Sequence, residues 1–163
     1  MYDVVTAGPW PERYTFAPAV KAGNLLFISG TTATDDAGQL VGAGDIVAQT
    51  RHIYRKFDAL LSAAGGSLRD IVATTEYITT TENYRGTADV RREVFNGPPF
   101  PTATGVIVAG LLRPGALIEI SAVAILPGSA RRPNAQRRPA AVRERNAETP
   151  RRARRSAAPR RRR

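Results

Sequence analysis

Residues 44–79 read GDIVAQTRHIYRKFDALLSAAGGSLRDIVATTEYIT, an amphipathic run, a glycine pair and a β-branched run in succession. Ile46, Ile53, Tyr54, Phe57, Leu60, Leu61 and Ala64 recur at spacings of three, four and seven, which predicts a helix with one apolar face. Arg51, Arg55, Lys56 and Asp58 fall on its other faces. Asp45 stands where a carboxylate can accept hydrogen bonds from the first free backbone N–H groups, and Gly65-Gly66 supplies the left-handed residue that ends a helix. Ile71 to Thr80 then predicts a strand.

Working outward, Ala19 to Gly30 (AVKAGNLLFISG) places a Gly23-Asn24 turn before the apolar run Leu25–Ser29, a short buried strand with Val20 in its hairpin partner. Before it, Pro9, Pro11 and Pro18 alternate with Trp10, Tyr14 and Phe16, an extended lead-in whose aromatics need a surface to pack on. Thr31 to Gly44 reads as a loop. Glu82 to Phe95 predicts a second helix with Val90, Val94 and Phe95 inward, broken by Gly97-Pro98-Pro99. Thr104–Ala109 and Ala116–Leu126 predict two last strands, joined through the turn at Arg113-Pro114-Gly115.

The order β, β, α, β, α, β, β without strict alternation points to an α+β layer: a mixed sheet carrying both helices on one face. Ile107, Leu117, Val123 and Ile125 offer more apolar surface than two short helices can cover, so an oligomer interface is expected on the free face, with core packing as the competing explanation.

The net charge of +10 misleads if taken over the whole chain. Residues 128–163 hold fourteen Arg and two Glu, net +12, whereas residues 1–127 are at −2. The expected division is therefore a folded domain over 1–127 and a disordered Arg/Pro/Ala-rich tail over 128–163. Such a tail would attract nucleic acid or acidic surfaces nonspecifically; an extension without function is the alternative. No cysteine and a single histidine, His52, argue against disulfides, a thiol nucleophile and thiolate or histidine metal sites. No cofactor is expected. Nothing resembles a leader or a membrane span, which makes a cytoplasmic location the default expectation.

The three segments AVKAGNLLFISG, GDIVAQTRHIYRKFDALLSAAGGSLRDIVATTEYIT and PTATGVIVAGLLRPGALIEISAVAILP resemble the RidA/YjgF family of enamine/imine deaminases, from about Phe16 to Pro127. The resemblance implies a chorismate-mutase-like subunit in a homotrimer. Its three clefts lie between subunits and hydrolyse small-molecule enamines or imines to ketones and ammonia without a cofactor. It also implies a substrate-binding arginine at the opening of the late strand, where this chain reads Pro101-Thr102-Ala103-Thr104. Ala103 replaces that arginine, Gly105 replaces a common cysteine and Ala88 an asparagine, so the pocket should be roomier and less polar.

Glu119 matches the family's acidic residue that holds or activates the attacking water; a solvated glutamate on an edge strand is the plain alternative. Gly30 matches a glycine whose backbone meets the ligand. Phe16 aligns with a cleft tyrosine and Tyr14 lies beside it, although either could be core. Thr102 and Thr104 could donate hydrogen bonds to a substrate oxygen, and Arg113 is a candidate to restore positive charge from the neighbouring loop. The expected activity is hydrolysis of an enamine or imine larger than 2-aminoacrylate. Tautomerisation, cyclisation or condensation in the same cleft, and a noncatalytic ligand-binding trimer, remain the alternatives.

Overall fold

The computed structural model describes residues 1–128. The expected tail lies outside the described residues from 129 onward. Eight principal elements follow in order: β1 (Asp3–Val5), β2 (Ala19–Ala22), β3 (Leu25–Thr32), α1 (Ile46–Ala63), β4 (Ile71–Ile78), α2 (Thr87–Val94), β5 (Thr102–Ile107) and β6 (Ile118–Ile125). The strands form one sheet ordered β1-β2-β3-β6-β4-β5, antiparallel throughout except for the β4–β5 pair. That parallel pair needs a crossover, and α2 supplies it.

The expected α+β layer is present, with one strand more than the sequence reading gave. β1 is three residues long and pairs only with β2, so the lead-in is extended as expected but also closes the sheet edge. β3 runs past Gly30 to Thr32 through a bulge: Ile28 pairs with Ala122 and Thr31 with Ile120, three steps on β3 against two on β6. The second helix is shorter than expected. Asn83 takes a left-handed φ of 54° and is followed by a 3₁₀ turn at Tyr84–Gly86, so α2 begins only at Thr87.

α1 starts where Asp45 Oδ1 accepts from Val47 N at 2.9 Å and Ala48 N at 3.0 Å, and Gly65 follows it at φ +81°. Its apolar face packs Ile46, Ile53, Phe57 and Leu61 onto Leu26, Ile28, Ile118 and Ile120 of the sheet. Tyr54 stacks edge to face on Phe57 and on Phe95 beside α2, at centroid distances of 5.9 and 5.4 Å, which ties the two helices together. Lys56, expected on a solvent face, instead folds inward: Nζ donates to Thr32 O at 3.1 Å and Thr34 Oγ1 at 2.9 Å, and burial lowers its pKa.

β6 occupies the middle of the sheet, and its alternation is strict. Ile118, Ile120, Ala122 and Ala124 are buried under the helices, while Glu119, Ser121, Val123 and Ile125 face the other way. Among the described residues no helix covers that second face. Phe27, Val106 and Ile125 are 43%, 40% and 45% exposed there. Val123 and Leu117 are half-buried. Ile107, expected on the free face, pairs with buried Ile78 on the helix side, yet is 66% exposed because β5 forms the sheet edge.

Removing one ring from the helix–sheet core should be costly. Phe57→Ala is expected to lower unfolding free energy by about 3–5 kcal/mol in denaturant titration, and a loss below 1 kcal/mol would mean that α1 is not packed as described.

Candidate active site

The backbone of the β3 bulge and the alternation of β6 bring Gly30 and Glu119 together on the free face. A side chain at position 30 would collide with Glu119 Oε1 and come within 3.2 Å of its Cδ. Gly30 is not in a left-handed conformation, so room for the carboxyl, and not backbone strain, is what requires glycine here. The surrounding cavity, about 380 Å³, is lined by Tyr77, Val108, Leu111, Leu112 and Ser121 as well. β6 is central, so Glu119 is not on an edge strand. Its carboxylate has no hydrogen bond or ion pair among the described residues, and partial burial raises its pKa above the usual 4.5.

The loop that roofs this cavity is held from behind by a residue that periodicity did not single out. Gln49 of α1 is fully buried: Nε2 donates to Gly42 O at 3.1 Å and Gly115 O at 3.3 Å, and Oε1 accepts from Leu117 N at 2.8 Å. One amide thereby holds the end of the β5–β6 connection, at Gly115 and Leu117, and ties it to Gly42 in the loop before α1. Leu111 and Leu112 line the cavity, and Arg113 does not. Arg113 lies near enough to Lys56 to help lower that ammonium's pKa, after burial.

Phe16 and Tyr14 pack with Trp10 into an aromatic cluster with centroid distances of 4.9 to 5.6 Å, and Trp10 Nε1 donates to Phe16 O at 2.9 Å. Neither lines the Glu119 cavity. Ser29 anchors this segment beside Gly30, its Oγ donating to Ala17 O at 2.6 Å and its backbone N to Pro18 O at 3.0 Å. Phe16 remains largely exposed.

Ala103 and Gly105 are elsewhere. They pair with Thr74 and Glu76, which pair in turn with Ala122 and Ile120, so they face the helix side of the sheet. A second cavity of about 270 Å³ opens there between β5 and α2, lined by Thr74, Ala88, Arg91, Phe95, Phe100 and Ala103 among others. Gly105 lies beneath Tyr84, whose Oη would be 3.3 Å from a side chain at that position. Thr102 and Thr104 share the face of Glu119 but sit two strands away, and Thr102 Oγ1 donates to Val72 O at 3.1 Å.

Behind the second cavity lies a charged cluster that the sequence reading missed. Glu76 is 1% exposed and accepts from Tyr84 Oη at 2.6 Å and from Arg91 Nη1 at 2.9 and 3.0 Å. Burial first, and Glu76 second, push the Tyr84 phenol above its ordinary pKa. The signal was available in principle: Glu76 occupies the inward phase of β4 between Thr74 and Ile78, where a carboxylate needs a cation. Five of the candidate residues thus fall into two groups on opposite faces of one sheet. Gly30 and Glu119 belong to one, and Ala88, Ala103 and Gly105 to the other. Among the described residues no group suited to hold a metal ion is present, and no helix is long and apolar enough to cross a membrane.

The family model described as Endoribonuclease L-PSP matches residues 10–126. The 3-aminoacrylate deaminase RutC of Acinetobacter baylyi is 35% identical over 121 residues, 74% of this chain and 94% of that protein. The solved structure of YyfA from Yersinia pestis, of the conserved Rid protein family, matches at TM-score 0.70 and 32% identity, over 77% of this chain and 100% of that one. A YjgF/YER057c/UK114 family member from Mycobacterium tuberculosis matches at TM-score 0.64 and 31% identity, over 77% and 100% of the two chains. The chain therefore belongs to the RidA/YjgF family, described also as Endoribonuclease L-PSP, a family that includes deaminases of reactive imine and enamine intermediates.

Proposed function

We propose that the protein hydrolyses an enamine or imine larger than 2-aminoacrylate, without a cofactor, in clefts completed between the subunits of a homotrimer. The observation that carries this reading is the Glu119 carboxyl, half-buried and unpaired over the bare backbone of Gly30. Partial burial raises its pKa, which favours its use both as an acid and as a base in a proton relay. The exposed apolar residues Phe27, Val106 and Ile125 support burial of the free face against another copy. The missing arginine at Ala103 supports a substrate unlike the smallest amino-acid-derived imines.

The reaction follows from that arrangement. The protonated Glu119 carboxyl gives its proton to the enamine carbon, which leaves an iminium and a carboxylate. Glu119 removes a proton from water, whose oxygen bonds to the iminium carbon and gives a carbinolamine. The same carboxyl returns the proton to nitrogen; as the C–N bond breaks, the hydroxyl proton passes back to the Glu119 carboxylate, and ammonia and the ketone leave. Backbone at Gly30 lets the substrate approach the carboxylate closely.

Ammonia release from freshly generated 2-aminoacrylate and from a bulkier ring-opened enamine tests the reading. Wild type should accelerate the bulkier compound, and Glu119→Gln should lower its kcat by about 10²–10⁴-fold. Ala103→Arg should improve 2-aminoacrylate relative to the bulkier compound. Acceleration of neither substrate by wild type would count against deamination, and tight binding of a small acid without turnover would favour a noncatalytic trimer.

Two further outcomes follow from the Glu119 environment. Gly30→Ala should fold normally, since the colliding atom is the end of a flexible side chain, yet lose about 10²-fold in kcat through displacement of the carboxylate. The acidic limb of the pH–rate profile should lie above 4.5. The sign for stability is opposite: the raised pKa favours folding when Glu119 is protonated, and that contribution is lost as pH rises through the folded value. At pH 8, Glu119→Gln should therefore unfold no lower than wild type in a thermal scan.

A further inference from the structure

The cavity beside Ala103 lacks the guanidinium implied for that position, but it is not without one. Arg91 projects from α2 into the same space, and its geometry is fixed from two sides. Nη1 makes both hydrogen bonds to Glu76, at 2.9 and 3.0 Å, and the guanidinium carbon lies 5.6 Å from the Tyr84 ring centroid. Both bonds to Glu76 leave from a single nitrogen, so Nε and Nη2 are not spent on that carboxylate. Arg91 retains 22% exposure of its side chain, against 1% for Glu76 behind it.

Small residues make the room. Ala88 and Ala103 both line the cavity, and a longer side chain at either would fill the space before Arg91. Phe95 and Phe100 supply apolar walls. A held planar cation at the back of an apolar pocket suits a carboxylate on an apolar or aromatic body: little rotamer freedom is left to lose on binding. Arg92 also borders the cavity, but its side chain is 66% exposed and paired with Asp89, so it is less suited to act as the anchor.

We infer that Arg91, positioned by Glu76 and Tyr84, binds the substrate carboxylate in the Ala103 half-site and selects substrates with an apolar or aromatic body. The inference rests on the cleft reading above for what the site is used for, while the binding it asserts can be measured without turnover. A buried Arg–Glu pair that only anchors α2 to the sheet is the rival explanation, and ligand binding separates the two.

The test is calorimetric titration of the full-length protein with 3-phenyl-2-oxopropanoate, its methyl ester and pyruvate. Wild type should prefer the aromatic acid to its ester by about ten- to a hundredfold, the range of a charge-assisted pair, and should bind pyruvate more weakly. Arg91→Lys keeps a cation opposite Glu76 but loses the planar fork, so that preference should fall by about tenfold. In the paired change Glu76→Gln with Arg91→Met, which leaves no buried carboxylate orphaned, the preference should vanish while ester binding persists. An acid-to-ester ratio unchanged in Arg91→Lys, or no preference for the acid in wild type, would overturn the inference. Failure of ammonia release with the acid preference intact would instead count against the deaminase reading and leave Arg91's role standing.

Discussion

The chemistry of this protein depends on where its last strand lies. β6 enters between β3 and β4, so that every second residue must be small or branched enough to pack under α1 while the residues between are free to face outward. Ile118 and Ile120 fasten the strand to the core, and the same alternation turns Glu119 away from it. The bulge at Ser29-Gly30 then brings a bare backbone under the carboxyl, and the Gln49 amide holds the roof loop in place. Burial raises the pKa of Glu119 without supplying a partner, which is the condition a proton-transfer group needs.

The sheet also separates what the reaction would have to combine. Ala103 and Gly105 lie on the edge strand facing α2, while Glu119 and Gly30 lie across the sheet on the uncovered face. One chain cannot bring these sets together. A second copy docked by its own edge strand or free face can, and the apolar residues stranded on both surfaces give such docking a driving force. The cavity beside Ala103 would then contribute the substrate-binding wall and the Glu119 cavity the catalytic group.

Much of the fold was legible in the sequence because its signals are local. The period of α1, the Asp45 cap, the Gly65 stop and the alternation of β6 each involve residues close in the chain. β1 was not legible, being three residues whose pairing with β2 depends on a partner fourteen or more residues away. The early start expected for α2 failed on a single left-handed residue, Asn83, which no periodicity reports. The site was legible only in part. Glu119 and Gly30 could be named, but their meeting depends on the β3–β6 register, and the opposite facing of Ala103 depends on β4 lying between them. Glu76 and Arg91 lie fifteen residues apart on different elements, so their pairing appears only once α2 crosses over the sheet.

The claim that the site is divided between copies is tested most directly by mixing subunits. Glu119→Gln disables one half-site and Ala103→Trp blocks the other, so each homo-oligomer should be inactive in ammonia release. Unfolding the two together in equal amounts and refolding them should restore activity to about a quarter of the wild-type rate, the share of clefts that receive both intact halves in random assembly. No recovery in verified mixed oligomers would contradict a site shared between subunits.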